Sequence, residues 1–157
     1  MNSTGLTKIN AELDYLDENP IGGISYTGED YDYVFSIVGP KNSAFENYVL
    51  DLSIIFKDDY PNLKPEVKFV NQIVHPNVNP NSRSVCIDTL NAWEYKKCKI
   101  SQLLLDVLSF LRQPNFDLAW PSYWSTYNLD SKSANKDQDM KNKIKSIMGS
   151  CKYAHLK

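Results

Sequence analysis

Residues 48–56 read YVLDLSIIF, and this stretch carries the strongest signal for the fold. Its apolar side chains alternate with Asp51 and Ser53, which is the period of a β-strand that buries one face. Upstream, residues 31–38 read YDYVFSIV, are rich in aromatic and β-branched residues, and run into a Gly-Pro pair, so they predict a strand and a turn. Consecutive strands joined by short turns form an antiparallel meander.

The segments on either side complete an α+β pattern, with helices flanking one sheet. A weak strand pattern at residues 23–26 precedes these two strands, and a short one at residues 66–70 follows them. Residues 121–127 predict a short helical turn. Three longer helices are predicted by apolar stripes at helical spacing, and Ser101 is the candidate N-cap of the second. The stripes are Leu6, Ile9, Leu13 and Leu16; Ile100, Leu103, Leu104, Val107, Leu108 and Leu111; and Met140, Ile144, Ile147, Met148 and Cys151.

Length and charge limit what the chain can be. With 157 residues it fits one domain, residues 1–157, whose core needs no disulfide or metal to hold it. A formal net charge of −2 argues against nucleic acid or an anionic membrane as the main partner, because both attract basic surfaces. No apolar run would span a membrane, and the first residues lack a signal-peptide pattern. Three cysteines without metal-ligand spacing, Cys86, Cys98 and Cys151, predict reduced thiols in the cytoplasm or nucleus.

The periodicity disappears over residues 71–99, and long irregular segments inside a compact domain are usually functional. This segment holds His-Pro-Asn at 75–77 and Val-Cys-Ile-Asp at 85–88, whose cysteine lies nine residues after the asparagine. Cys86 by itself is either a small buried apolar residue or a nucleophile. A nearby histidine also allows a cysteine-hydrolase interpretation, but we favour His75 as a loop residue that ties local backbone together.

Read together, these blocks resemble the ubiquitin-conjugating enzyme family. The resemblance covers nearly the whole chain and is also carried by Tyr60-Pro61, Pro65, Val67, Phe69, Leu90, Trp93 and Pro114-Asn115. It implies the ubiquitin-conjugating fold, which has an N-terminal helix, a four-stranded antiparallel meander sheet, a long irregular active-site segment, a central helix and C-terminal helices.

The resemblance also implies the activity. Cys86 would accept ubiquitin, or a ubiquitin-like modifier, as a thioester from the activating enzyme and pass it to a substrate lysine or a ligase cysteine. It implies no cofactor and no metal, because the activating enzyme consumes the ATP. It further implies a monomer that serves a ubiquitin ligase of RING or HECT type. The alternative function is a catalytically weak scaffold that binds ubiquitin or a ligase without transfer.

The same resemblance assigns roles to other residues near Cys86. Asn77 either donates to the oxyanion that forms when an amine attacks the thioester or supports the loop around the cysteine. His75 and Pro76 are structural. The acidic position that faces the lysine in relatives is Leu118 here. Asp117, one residue early, either orients the lysine or caps the following turn.

The chain departs from the family pattern in the active-site loop. Arg83 stands where a glycine is usual, three residues before Cys86. Glycine reaches positive φ at little cost, so we expect its loss to re-shape the loop. The arginine would lower the thiol pKa, meet an acidic partner or simply be solvated.

The partner surfaces depart as well. Asn62 replaces an aromatic residue that RING-type ligases contact, and Trp93 and Glu94 begin a long, charged second ligase-facing loop. On the first helix, Lys8 is the remaining basic residue for the activating enzyme. That helix also carries four acidic residues, which are Glu12, Asp14, Asp17 and Glu18. They predict that the activating enzyme charges the chain weakly, that the chain uses the activating enzyme of another modifier, or simply that this face is solvated.

Overall fold

The sheet is an antiparallel meander, as the sequence predicts. The computed structural model describes residues 3–85, 87–93 and 99–149, and its four strands follow one another in sheet order. Phe35 lies opposite Leu52 and Ile37 opposite Leu50, so alternate side chains of the central strands enter the core. The strands are β1 (Ile24–Glu29), β2 (Asp32–Val38), β3 (Val49–Ile55) and β4 (Glu66–Phe69).

The helices supply the rest of the core. They are α1 (Ser3–Glu18), α2 (Asp88–Asn91), α3 (Ile100–Arg112), α4 (Pro121–Thr126) and α5 (Lys136–Ile147), and a 3-10 turn over Phe116–Leu118 precedes α4. All six apolar residues of the predicted α3 stripe are buried in the same cluster as the sheet residues. Within the described ranges, no helix combines the length and the apolar character that crossing a membrane requires. The predicted α+β class is therefore confirmed.

Several element boundaries differ from the prediction. The α2 helix and the 3-10 turn were not predicted, because four and three residues are too short to show a helical period. The α5 helix ends at Ile147, and Cys151 from its predicted stripe lies outside the described residues.

The start of α3 is fixed by a residue of α1, and the prediction that Ser101 is its N-cap is wrong. The helix begins at Ile100, and Lys99 in the N-cap position makes no side-chain bond. Instead, the Glu12 carboxylate accepts a hydrogen bond from the Ile100 backbone N–H at 2.6 Å and another from the Tyr60 hydroxyl at 2.8 Å. Glu12 is only 7% exposed, so it belongs to the interior and not to the acidic surface expected for this helix.

His75 makes a second buried polar connection. Its Nδ1 accepts from the backbone N–H of Asn77 at 2.9 Å, so the ring proton lies on Nε2, which donates to the Phe110 carbonyl at 2.8 Å. The ring stacks between Phe45 and Phe110. Burial lowers the pKa of His75 from 6.5 to about 4, although the bond to Phe110 opposes this. The imidazole is thus neutral at pH 7 and joins the 75–77 backbone to α3.

We expect Glu12→Ala to lower the free energy of unfolding by about 3 kcal/mol, because it leaves the Ile100 N–H and the Tyr60 hydroxyl without their acceptor. Glu12→Gln keeps one carbonyl oxygen and should lose less. Urea unfolding followed by tryptophan fluorescence measures both. The matched control is Asp14→Ala, an exposed acidic residue of the same helix. Equal losses in Glu12→Ala and Asp14→Ala would contradict this role.

Burial of neutral His75 should make stability depend on pH. The unfolded chain binds a proton near pH 6.5 and the folded chain only near pH 4, so stability is highest above pH 6.5 and falls as the pH drops towards 4. From pH 7.5 to pH 5 the expected loss from this residue is about 2 kcal/mol. NMR titration of the imidazole checks the cause directly. A folded-state midpoint near 6.5, equal to that measured in urea, would refute it.

Candidate active site

The cysteine singled out by the sequence lies outside the described residues, but its two neighbours bracket its position. Val85 is buried and bridges to Val78 in an antiparallel pair, which makes residues 78–85 a small hairpin. Ile87 is also buried and directly precedes α2. The backbone on both sides of Cys86 is therefore anchored in the core.

The side-chain amide of Asn77 holds the loop that follows α3. Its Oδ1 accepts from the Asn115 N–H at 2.9 Å, which fixes the orientation of the amide. Its Nδ2 donates to the carbonyls of Asn115 at 3.0 Å and Leu118 at 3.3 Å. Asn77 is 7% exposed. Both Nδ2 hydrogens therefore face the 115–118 loop, and an oxyanion would have to take one of them, most easily the one on the longer bond to Leu118.

Residues 115–118 form the 3-10 turn and its cap. The Asn115 side chain accepts from the Asp117 N–H at 3.1 Å and is the N-cap of the turn that contains Asp117. The following helix, α4, has Trp120 in the N-cap position with no side-chain bond, so the alternative that Asp117 caps the following turn is wrong. The Asp117 side chain is exposed and borders a shallow depression shared with Lys136. Leu118, 73% exposed, borders the groove beside Asn77 instead. The structure therefore places an apolar side chain where the sequence comparison expects an acidic one.

A groove of about 360 Å³ runs beside Asn77, and we call it the Asn77 groove. It extends between α3 and the 115–118 loop and reaches Ile87, next to Cys86 in the chain. Asp106 of α3 lines it and accepts hydrogen bonds from the Thr89 hydroxyl and from Gln102. The bond from Thr89 joins α2 to α3, and the bond from Gln102 lies within α3. The residues that line the groove include Asn77, Ile87, Asn91, Asp106, Asn115 and Leu118.

Pro76 ties the same segment to the chain that leads into α4. Its carbonyl accepts from the Trp120 N–H at 2.9 Å. The His-Pro-Asn block thus contacts three later parts of the chain, through Phe110, the 115–118 loop and Trp120. Within the described residues, no group of histidine, cysteine and acidic side chains is arranged to hold a metal ion.

Arg83 adopts a positive φ although it is not a glycine. Its φ is 63°, in the left-handed region that glycine reaches at less cost. Its N–H donates to the Asn79 carbonyl, its carbonyl accepts from the Phe69 N–H, and its guanidinium donates to the Val70 carbonyl. A side chain in this conformation costs about 1 kcal/mol, which these bonds offset.

The two loops expected to face a ligase are joined to each other. The Trp93 indole N–H donates to the Pro61 carbonyl at 2.7 Å, and the Trp93 ring packs on Tyr60. Asn62 is exposed, and its neighbour Leu63 is 52% exposed. Sequence reasoning missed this leucine, which supplies an apolar side chain one residue after the expected position. Glu94 and the other residues up to 98 lie outside the described residues.

The surface of α1 differs from the expectation for an activating-enzyme contact. The Nζ of Lys8 lies 3.8 Å from the Glu12 carboxylate, so its charge is partly compensated. At Gly5, a Cβ would lie 2.5 Å from the Asp58 carbonyl oxygen. Close packing against the 58–60 turn therefore excludes a basic side chain at this position unless the backbone moves.

Comparisons with known proteins agree with this arrangement. A sequence model described as ubiquitin-conjugating enzyme matches residues 8–143. A solved structure of human ubiquitin-conjugating enzyme E2 G1 is 29% identical, with a TM-score of 0.65, over 70% of this chain and 96% of that chain. A structure described as a novel ubiquitin-conjugating enzyme is 27% identical, with a TM-score of 0.65, over 72% of this chain and 77% of that one. Because the family match spans far more than half of the residues, the chain belongs to the ubiquitin-conjugating enzyme family.

Proposed function

We propose that the chain carries ubiquitin, or a ubiquitin-like modifier, as a thioester on Cys86 and transfers it to a lysine or a ligase cysteine. The observation that supports this most is the Asn77 groove, which reaches Ile87, the residue next to Cys86 in the chain. An extended peptide tail laid in such a groove would place its terminal carbonyl next to position 86. Membership of the family supplies the reaction class.

The proposed chemistry is two acyl transfers. The Cys86 thiolate attacks the thioester carbonyl on the activating enzyme and expels that enzyme's thiolate. A lysine amine then attacks the new thioester, the Cys86 thiolate leaves, and an amide bond forms. Because the acyl group arrives already activated, the conjugating chain needs no cofactor and contributes mainly position and charge stabilisation.

Asn77 supports the second transfer in this proposal. Through its bonds to Asn115 and Leu118 it holds one wall of the Asn77 groove, so the tail has a fixed surface to lie on. An Nδ2 hydrogen released from Leu118 would also stabilise negative charge on the thioester carbonyl. Neutral His75, with both ring nitrogens engaged, is no general base, so the incoming amine is deprotonated by other means.

The partner surfaces follow from the same proposal. The apolar Leu63 beside Asn62, next to the joined Pro61 and Trp93, is the ligase contact we favour. Lys8 and the start of α1 face the activating enzyme. Leu118, and not Asp117, borders the Asn77 groove. For Asp117 to orient the lysine, the 115–118 loop would have to turn the Asp117 carboxylate towards that groove.

The cysteine assignment is tested by charging the protein with activating enzyme, ATP and ubiquitin. We expect an adduct that a thiol reductant removes and that Cys86→Ser does not form. The matched controls are Cys98→Ser and Cys151→Ser, which should still form it. The wild-type chain is tested with ubiquitin and with ubiquitin-like modifiers, each with its own activating enzyme. If none of them forms a reductant-sensitive adduct, the scaffold function is the better description.

Asn77→Ala should keep charging but slow discharge of the thioester to free lysine at least tenfold, since it removes both the loop bonds and the candidate oxyanion donor. Single-turnover discharge measures the rate. Asn77→Asp separates the two effects, because it keeps the acceptor for Asn115 and loses the Nδ2 donors. Asn81→Ala, an exposed asparagine of the same segment, is the control. Discharge at the wild-type rate in Asn77→Ala would remove Asn77 from the transfer step.

A further inference from the structure

A second groove is lined by Val85, the residue before position 86, as the Asn77 groove is lined by Ile87, the residue after it. It runs between the start of β4 and the hairpin that leads to the cysteine, and Val85 lines it next to Cys86 in the chain. We call it the Lys68 groove. Asn91 borders both this groove and the Asn77 groove, so the two are neighbours. Its polar lining includes Lys64, Glu66, Lys68, Ser82 and Ser84.

The charge of the Lys68 groove is positive. Lys64 and Lys68 are exposed and make no ion pair within the part of the chain described. Glu66 lies between them in the sequence, but its carboxylate is 3.3 Å from the Nζ of Lys57, which neutralises it. Within the residues that the structure describes, the groove lining therefore carries two unpaired ammonium groups and one paired carboxylate, on a protein whose formal net charge is −2. This local excess attracts a negatively charged ligand.

The groove also offers hydrogen-bond donors beside the cations. Lys68 pairs directly with Ser84 across an antiparallel bridge, so their side chains are neighbours on one face. The Oγ atoms of Ser82 and Ser84 are 2.7 Å apart, and only one hydroxyl hydrogen can lie between them. The other hydrogen can donate to a ligand. An ammonium group next to a hydroxyl donor suits a carboxylate oxygen.

The distance from this groove to the cysteine limits what can bind. Ser84 is two residues before Cys86, and two residues span at most about 7 Å. A lysine whose amine reaches Cys86 would therefore carry, two or three residues away along an extended segment, a side chain that reaches Lys68. We propose that the Lys68 groove binds an aspartate or glutamate of the acceptor segment, close in sequence to the lysine that receives the modifier. This inference rests on the proposed function and adds a preference for acidic acceptor sites.

The test uses pairs of fluorescent peptides that each contain one lysine. The two peptides of a pair differ only in having Asp or Asn two residues from the lysine. In one pair this position precedes the lysine, and in the other pair it follows the lysine. The charged full-length chain is discharged to each peptide under single-turnover conditions. We expect the Asp peptide of at least one pair of peptides to react about fivefold faster, the factor that one exposed charge pair supplies. The preference should shrink between 50 and 500 mM salt because of screening.

Variants locate the effect. Lys68→Glu and Lys64→Glu should reduce the preference below twofold, and Lys68→Gln should reduce it without reversing the charge. The control is Lys145→Glu, which makes the same charge change on an exposed position of α5. Discharge to free lysine should stay at the wild-type rate in all four. Equal rates for Asp and Asn peptides in the wild-type chain, or a preference that survives Lys68→Glu, would overturn the proposal.

A binding experiment separates this inference from the proposed function. The Asp peptide is added to the uncharged, ¹⁵N-labelled full chain, and we expect shifts of the Lys68 and Ser84 amide signals that the Asn peptide does not cause. If these shifts appear but the chain never forms a thioester, the groove is a carboxylate-binding site and the transfer function is refuted. No shifts, together with normal discharge to free lysine, would refute the groove and leave the transfer function in place.

Discussion

The rest of the site depends on the hydrogen bonds of the buried Glu12 carboxylate. The carboxylate fixes the first residue of α3 through the Ile100 N–H, and α3 then presents the Phe110 carbonyl to His75. His75 in turn accepts from the N–H of Asn77, whose amide grips the 115–118 loop. One wall of the Asn77 groove is thus connected to the first helix by an unbroken series of packed elements and hydrogen bonds. Glu12, His75 and Asn77 are buried, so the loss of a partner of any of them is costly.

The architecture could be predicted because it depends on periodicity. The alternation in β2 and β3 and the stripe of α3 reflect which side chains enter the core, and the structure confirms them. Glu12 could not be predicted in the same way, since charge alone suggests an exposed residue. One signal was present: position 12 follows Ile9 by three residues and therefore lies on the apolar stripe of α1. Its partners, Tyr60 and Ile100, are 48 and 88 residues away.

The sequence motifs of the site could be predicted, but their three-dimensional arrangement could not. Asn77 stood out in the sequence, yet its contacts with residues 115 and 118 lie 38 and 41 positions away and leave no local signal. The same holds for Arg83, whose left-handed backbone depends on bonds with Asn79, Phe69 and Val70 and not on its own preference. Spacing could identify the residues near position 86, whereas tertiary hydrogen bonding decided what each of them contacts.

The hydrogen bond from the Trp93 indole to the Pro61 carbonyl joins the two outer loops to each other. Tyr60, adjacent to Pro61 and packed on Trp93, ends in the hydroxyl that Glu12 holds. A partner that displaces Trp93 or Pro61 would therefore also act on Tyr60, and through it on the Glu12 carboxylate that holds the start of α3.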